Sequence, residues 1–202
     1  MIKGTYEHGN DSLSEDALEE IILRLIGLIG GTYAMTVTGQ FNLKEASVER
    51  PNNTTGYAAG DVISTVAGTV LEFNSIASEN GGTGLILKAQ CCISAEGDPV
   101  SVPATIRLHL FSSTPDAIAD NAPYTQAYAD RQIRLGYIDF DMTAGVAGSD
   151  CVELFDDTVR KAFKCESNAS NIYGIIETLD AFTPSASMDF HFQLITDNNK
   201  NG

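Results

Sequence analysis

The sequence predicts a mainly β protein: an antiparallel β-sandwich of jelly-roll type, with an N-terminal arm and one α-helix before it. Three observations point there. Apolar and polar residues alternate at period two in segment after segment, as in Ile106, Leu108 and Leu110, or Met188, Phe190, Phe192 and Leu194. Turn signals rich in Gly, Asn, Asp and Pro separate these segments at short intervals. No helical pattern recurs between the strands, so the βαβ alternation of a parallel sheet is missing. With 202 residues, 43% of them hydrophobic, the chain can bury about 70% of its unfolded surface and support a core.

Taken in order, residues 1–11 are polar and glycine-containing and read as an arm. Ser12 and Glu15 then form a capping box, and Asp16, Glu19 and Glu20 suit the positive end of a helix dipole. Leu18, Ile21, Ile22 and Leu25 follow helical spacing until Gly27, Gly30 and Gly31 stop it. Leu23 and Ile26 widen the apolar face beyond one stripe. Leu18, Ile21, Ile22, Leu25 and Ile26 are therefore candidate contacts to a sister subunit or another partner; the simpler expectation is a helix covering its own sheet. Tyr33, Met35 and Val37 alternate as a strand, and residues 41–48 as a second. The run Arg50-Pro51-Asn52-Asn53-Thr54-Thr55-Gly56 reads as a boundary. It divides an attachment and oligomerisation segment, 1–50, from a β-sandwich domain, 51–202. In that domain strands are expected over 61–66, 70–76, 85–93, 106–111, 137–141, 151–155, 159–165, 173–179 and 188–195. A polar loop is expected over 112–126, a short helix over 127–135, and a frayed tail from Thr196. Ile106, Leu108, Leu110, Phe190, Phe192 and Leu194 are the expected core.

Charge narrows the function classes. Twenty-seven acidic and 12 basic residues leave a net −15. A field of that sign repels phosphate backbones and anionic membrane surfaces. The longest apolar stretch, around Ile21 to Ile29, is broken by Arg24 and Gly27 and is too short to span a bilayer. Acidic residues precede it, the wrong charge for a secretion signal, so folding in a cytosol is expected. Cys91, Cys92, Cys151 and Cys165 form no CxxC and read as reduced, mostly buried thiols. The sequons at Asn53 and Asn168 then read as loop chemistry.

No catalytic constellation emerges. His109 and His191 occupy the polar phase of alternating strands and read as exposed strand residues; His8 lies in the arm. No nucleophile elbow, zinc-protease helix motif or phosphate loop occurs. The acid pairs Asp116 and Asp120, Asp139 and Asp141, and Asp156 and Asp157 follow from composition. A calcium site at Asp116, Asp120 and Asn121 lacks EF-hand spacing, so a solvated loop is the expected state. No cofactor, metal site or catalytic residue is expected.

Three stretches together carry a family resemblance. They are Glu49-Arg50-Pro51-Asn52-Asn53-Thr54-Thr55-Gly56-Tyr57-Ala58-Ala59-Gly60-Asp61-Val62; Ile106-Arg107-Leu108-His109-Leu110-Phe111 with Asp120-Asn121-Ala122-Pro123-Tyr124 and Leu135-Gly136-Tyr137-Ile138; and Ile172-Tyr173-Gly174 with Ala181-Phe182-Thr183-Pro184. In this order they resemble tailed-bacteriophage virion structural proteins of the capsid cement, or decoration, type, over roughly residues 49–195. The resemblance implies a non-enzymatic β-sandwich on a capsid surface, assembled in the bacterial host cytoplasm. Its partners would be the major capsid protein and further copies in a homo-oligomer, with no direct nucleic acid or membrane contact. Asp120, Asn121 and Tyr124 join the helix positions as candidate partner-binding residues. The alternative is a head- or tail-fibre-type module that binds host carbohydrate; Tyr124 and Tyr128 beside Asp120 are the few clustered aromatics such a site could use.

Overall fold

The computed structural model describes residues 40–95 and 100–198, all within the unit that begins at Gly39. The arm, the helix carrying Leu18, Ile21, Ile22, Leu25 and Ile26, and the strand at Tyr33, Met35 and Val37 lie outside the described residues.

Eleven strands are described: β1 (Gln40–Glu49), β2 (Val62–Ile63), β3 (Leu71–Phe73), β4 (Thr83–Ala95), β5 (Thr105–Phe111), β6 (Arg134–Asp141), β7 (Val146–Ala147), β8 (Cys151–Asp156), β9 (Lys161–Lys164), β10 (Ile172–Thr178) and β11 (Met188–Asn198). They form two antiparallel sheets. The first has the order β1-β11-β4-β8-β7, with β9 also on β4; the second has β2-β10-β5-β6, with β3 also on β10. β8 and β9 line the same edge of β4, at Ala89 to Ser94 and at Thr83 to Ile86. β2 and β3 share one edge of β10 in the same way. Each pair is one interrupted strand. With the two-residue β7 set aside, each sheet has four strands, and every connection except β5 to β6 crosses between sheets. That is the double-sheet path of a jelly roll, as the alternation predicts.

Alternation also places the core. Along β11 buried and half-buried residues alternate without a break, because β1 and β4 pair with its two edges and only the faces differ. Ile106, Leu108, Leu110, Phe190, Phe192 and Leu194 are all fully buried, where they meet Ile86, Cys91, Ile93, Phe140 and Ile176. Phe140 and Phe192 lie 5.6 Å apart between ring centres. Among the described residues no helix is long and apolar enough to cross a membrane.

Four expectations need correction. The residues from Thr196 to Asn198 are not a frayed tail: they extend β11, paired with Gln40 to Asn42, and the Asn198 side chain donates to the Ile76 carbonyl at 2.6 Å. The short helix over 127–135 is a 3-10 turn, Ala129–Arg131, running into β6. Pairing of Arg134 with Phe111 across the sheet outweighs local helical preference there. The strands over 61–66 and 70–76 shrink to two and three residues. Between them the Thr69 amide donates to the Ser64 hydroxyl oxygen at 2.5 Å, and Gly68 adopts φ +85°, so the chain turns out of the sheet. Finally, the strand of residues 40–49 pairs over its whole length with β11. The turn-rich run after it is thus a crossover inside the sandwich.

Leu108 and Gly174 meet across β5 and β10, and a Cβ on Gly174 would lie 2.8 Å from Leu108 Cδ1. Leu108→Ala is expected to cost about 2–5 kcal/mol in denaturant melts. Gly174→Ala should cost less in the Leu108→Ala background than in the parent. Additive losses would mean the two side chains do not share that space.

Candidate functional site

Arg50 directly follows β1 and carries its guanidinium into the protein, 2% exposed. A buried guanidinium must find acceptors, because the desolvation cost is otherwise several kcal/mol. Here Nε donates to the Tyr57 hydroxyl at 2.9 Å. The terminal nitrogens donate to the Asn53 carbonyl, to the Asn53 side-chain oxygen at 3.0 Å and to the Ser185 carbonyl at 3.1 Å. Tyr57 in turn donates to Asp120 Oδ1 at 2.5 Å, and the other carboxylate oxygen lies 4.0 Å from Arg50. The Ser64 amide also donates to Asp120 Oδ1, at 3.0 Å. Phe182 stacks on the Tyr57 ring at 5.0 Å. Burial and the Asp120 carboxylate raise the Tyr57 pKa, so the hydroxyl stays protonated as the bridge. Stretches of the sequence that carry the resemblance thus converge on one buried polar network.

This decides how two of the candidate partner-binding residues are used. The Asp120 carboxylate is only 7% exposed and is engaged as above. Asn121, at φ +57°, directs its side-chain nitrogen to Asp61 Oδ2 at 3.0 Å and to the Gly56 carbonyl at 3.2 Å. Tyr124 lies on the outer face of the second sheet, its ring stacked at 4.0 Å on His109. The structure brings Asp120 together with Arg50 and Tyr57, which the sequence reading did not single out as site residues, and places Asn121 and Tyr124 against other partners. The signal was a lone arginine at the head of an Asn- and Thr-rich turn.

His109 is buried, not an exposed strand residue as expected. The reason is the segment 112–133, which folds back over the outer face of β5 and β10 and packs Ile118, Tyr124 and Ile133 onto Val62, Phe111 and Ile175. Arg134 donates to His109 Nδ1 at 3.1 Å, so the ring proton sits on Nε2 and is donated to Glu177 at 2.7 Å. Burial, with Arg134 and Arg107 adding to it, holds the His109 pKa down to about 3. Burial also raises Glu177, against the pull of Arg107 and Arg134.

The acid pairs serve structure. Asp139 holds Arg107 in a two-pronged ion pair at 2.7 and 2.9 Å; Asp141 and Asp156 cap turns at Thr143 and Thr158; Asp157 pairs with Lys88 at 2.7 Å. Among the described residues no three His, Cys, Asp or Glu side chains are placed to hold a metal ion. The four cysteines are free, with Cys91 and Cys165 buried. Burial pushes the Cys165 thiol up to about 11 and raises Cys91 and Cys92 as well, which keeps these three in the unreactive protonated form.

The outer face of the first sheet is uncovered by the described residues. Its polar half is cross-linked: Gln193 donates to Glu45 at 2.8 Å, and Gln90 to Glu153. Its other half is apolar. Phe41, Leu43 and Phe155 are 68%, 53% and 62% exposed. Ile195 sits directly opposite Leu43 and shares a shallow depression with Phe155.

No family model matches this chain, and no curated protein does. Among solved structures it is similar to a chain of "Structure of a marine algae virus of the order Picornavirales", at 11% identity and a TM-score of 0.25, over 98% of this chain and 82% of that one. It is also similar to a chain of "nora virus structure", at 12% identity and a TM-score of 0.20, over 80% of this chain and 62% of that one. At those scores neither brings a fold or a function to this chain. The jelly roll rests on its own strand order.

Removing the Asp120 charge leaves Arg50 buried without a counter-ion, so Asp120→Ala is expected to cost about 3–5 kcal/mol. Tyr57→Phe should cost about 1–3 kcal/mol. A loss below about 0.5 kcal/mol in either melt would contradict the network.

His109 also predicts a pH dependence. The folded side chain stays neutral down to about 3, whereas the unfolded one takes up a proton near about 6.5. Between those values protons favour the unfolded chain. Stability therefore falls as pH drops through that window, by up to about 1.4 kcal/mol per unit from this group. Glu177, raised in the folded chain, opposes this at its own titration. His109→Gln should flatten the curve relative to the parent in urea melts across the window. Parallel curves would show that His109 does not carry the effect.

Proposed function

We propose that the chain is a non-enzymatic virion structural protein that coats and stabilises a bacteriophage capsid. It binds the major capsid protein and neighbouring copies of itself at the capsid surface, after folding in the host cytoplasm. The observation that carries this reading is the apolar half-face of the first sheet, built from Phe41, Leu43, Ile195 and Phe155, which no described segment covers. A contiguous apolar patch rimmed by polar residues marks an interaction surface. β1 adds an outer edge, since it pairs with β11 on one side and with no described strand on the other, and free strand edges accept a further strand. Jelly rolls serve viral capsids among other roles, and the sequence resemblance to cement proteins supports the same class. Contacts repeated over a lattice can be individually weak and still hold. Leu18, Ile21, Ile22, Leu25 and Ile26 belong to this reading as contacts to another subunit. Asp120 and Asn121 serve it from within, by fixing the fold.

Quantitative mass spectrometry of purified virions tests the role: many copies per particle are expected, and absence from particles would end the proposal. Phe41→Asp with Leu43→Asp tests the surface. The pair should abolish shell binding or self-association in sedimentation while leaving the melt within about 1 kcal/mol of the parent, as exposed positions do. Unchanged association would place the contact elsewhere.

A further inference from the structure

A cleft of about 380 Å3 opens between the start of β6 and the segment after β9, with Ser112, Gln132, Arg134, Lys164, Glu166 and Ser167 in its wall. Lys161 stands beside it: its ammonium lies 5.5 Å from the centre of the Tyr137 ring, and the Arg134 guanidinium lies 5.9 Å from the same centre. Among the described residues, Arg134, Lys161 and Lys164 have no carboxylate within ion-pair distance, as is true of Lys44, Arg131 and Arg160, whereas Arg50, Lys88 and Arg107 each have one. What sets the first three apart is that they gather around one cleft and the Tyr137 ring. Arg134 spends its terminal nitrogens on two neutral acceptors, Gln126 and His109, and its buried Nε finds no acceptor among the described residues. A chain with 27 acidic residues has ample means to neutralise three cations. Against them the cleft wall sets only Glu166.

We propose that this cleft binds an oxyanion: the sulfate, phosphate or carboxylate of a small ligand of about monosaccharide size. Charge and geometry divide the work. Lys164 is exposed and can reach a bound group directly. Ser112, Ser167 and Gln132 offer the hydrogen bonds that orient it. Arg134 is pinned by His109 and Gln126, so its positive charge is held in place before the ligand arrives and costs no reorganisation. The volume falls within the roughly 300–1,000 Å3 usual for small-molecule sites, which leaves room for more than a bare ion. Glu166 and the net charge of −15 weigh against a long polyanion. The site shares no residue with the apolar face of the first sheet, so it stands or falls apart from the coat-protein reading.

The test is a titration of the full chain at low ionic strength, followed through the backbone amide resonances of Ser112, Gln132 and Ser167. The probes are inorganic sulfate, inorganic phosphate, glucose 6-sulfate and glucose. Saturable shifts with glucose 6-sulfate, none with glucose, and at least about tenfold weaker binding for Lys164→Glu are expected. Equal affinity for inorganic sulfate would support the oxyanion site and make the free ion its source. Lys161→Ala should weaken binding without altering the melt. No saturable shift with any anion, or undiminished binding by Lys164→Glu, would overturn the proposal.

Discussion

One buried cation organises this sandwich. Taking the Arg50 guanidinium out of water is costly, and the cost is offset only where Asn53, Tyr57, Asp120 and Ser185 all arrive. Those residues come from the crossover out of β1, from the loop over the second sheet and from the connection between β10 and β11. Satisfying one side chain therefore sets the relation of three loops to both sheets. A buried ion pair contributes little net stability compared with well-packed apolar groups. What it contributes here is selectivity, because a wrong crossover or a displaced loop leaves a charge uncompensated.

The two sheets end up with different outer faces for a related reason. On the second, the segment 112–133 is anchored at Asp120 through the Arg50 network, so it lies across β5 and β10 as a roof. Under it Arg134, His109 and Glu177 form a hydrogen-bonded polar row. No described segment covers the first sheet in this way, and its alternation leaves the odd positions of β1 pointing outward. Among the described residues, the uncovered surfaces include the apolar half of that face and the cleft at the rim. The loop whose Asp and Asn attract notice in the sequence is occupied with holding the roof.

Much of the fold was legible residue by residue. Period-two alternation assigns each side chain of a strand to the inner or the outer face, because a shift of one residue would reverse them all. The six expected core residues on β5 and β11 follow from that rule alone. Turn chemistry placed most strand ends, and composition set the charge. The motifs of the resemblance were visible as sequence, and they prove to be the strands of the second sheet together with the loops that lock it.

Tertiary structure decided the rest. Alternation says that His109 and Ile195 point away from the core, but not that a loop buries the first while the second stays near solvent; that depends on what is packed against the outer face, which local spacing does not encode. Residues 127–135 read as a short helix in sequence, and the sheet register of Arg134 overrides that. Thr196 and Asn198 look like tail residues until β1, far away in sequence, pairs with them. Arg134 and Lys164 share a cleft only because their strands, in different sheets, meet at the rim. In sequence both were ordinary charges; it took long-range packing to leave them beside each other, with Glu166 as the carboxylate in the cleft wall.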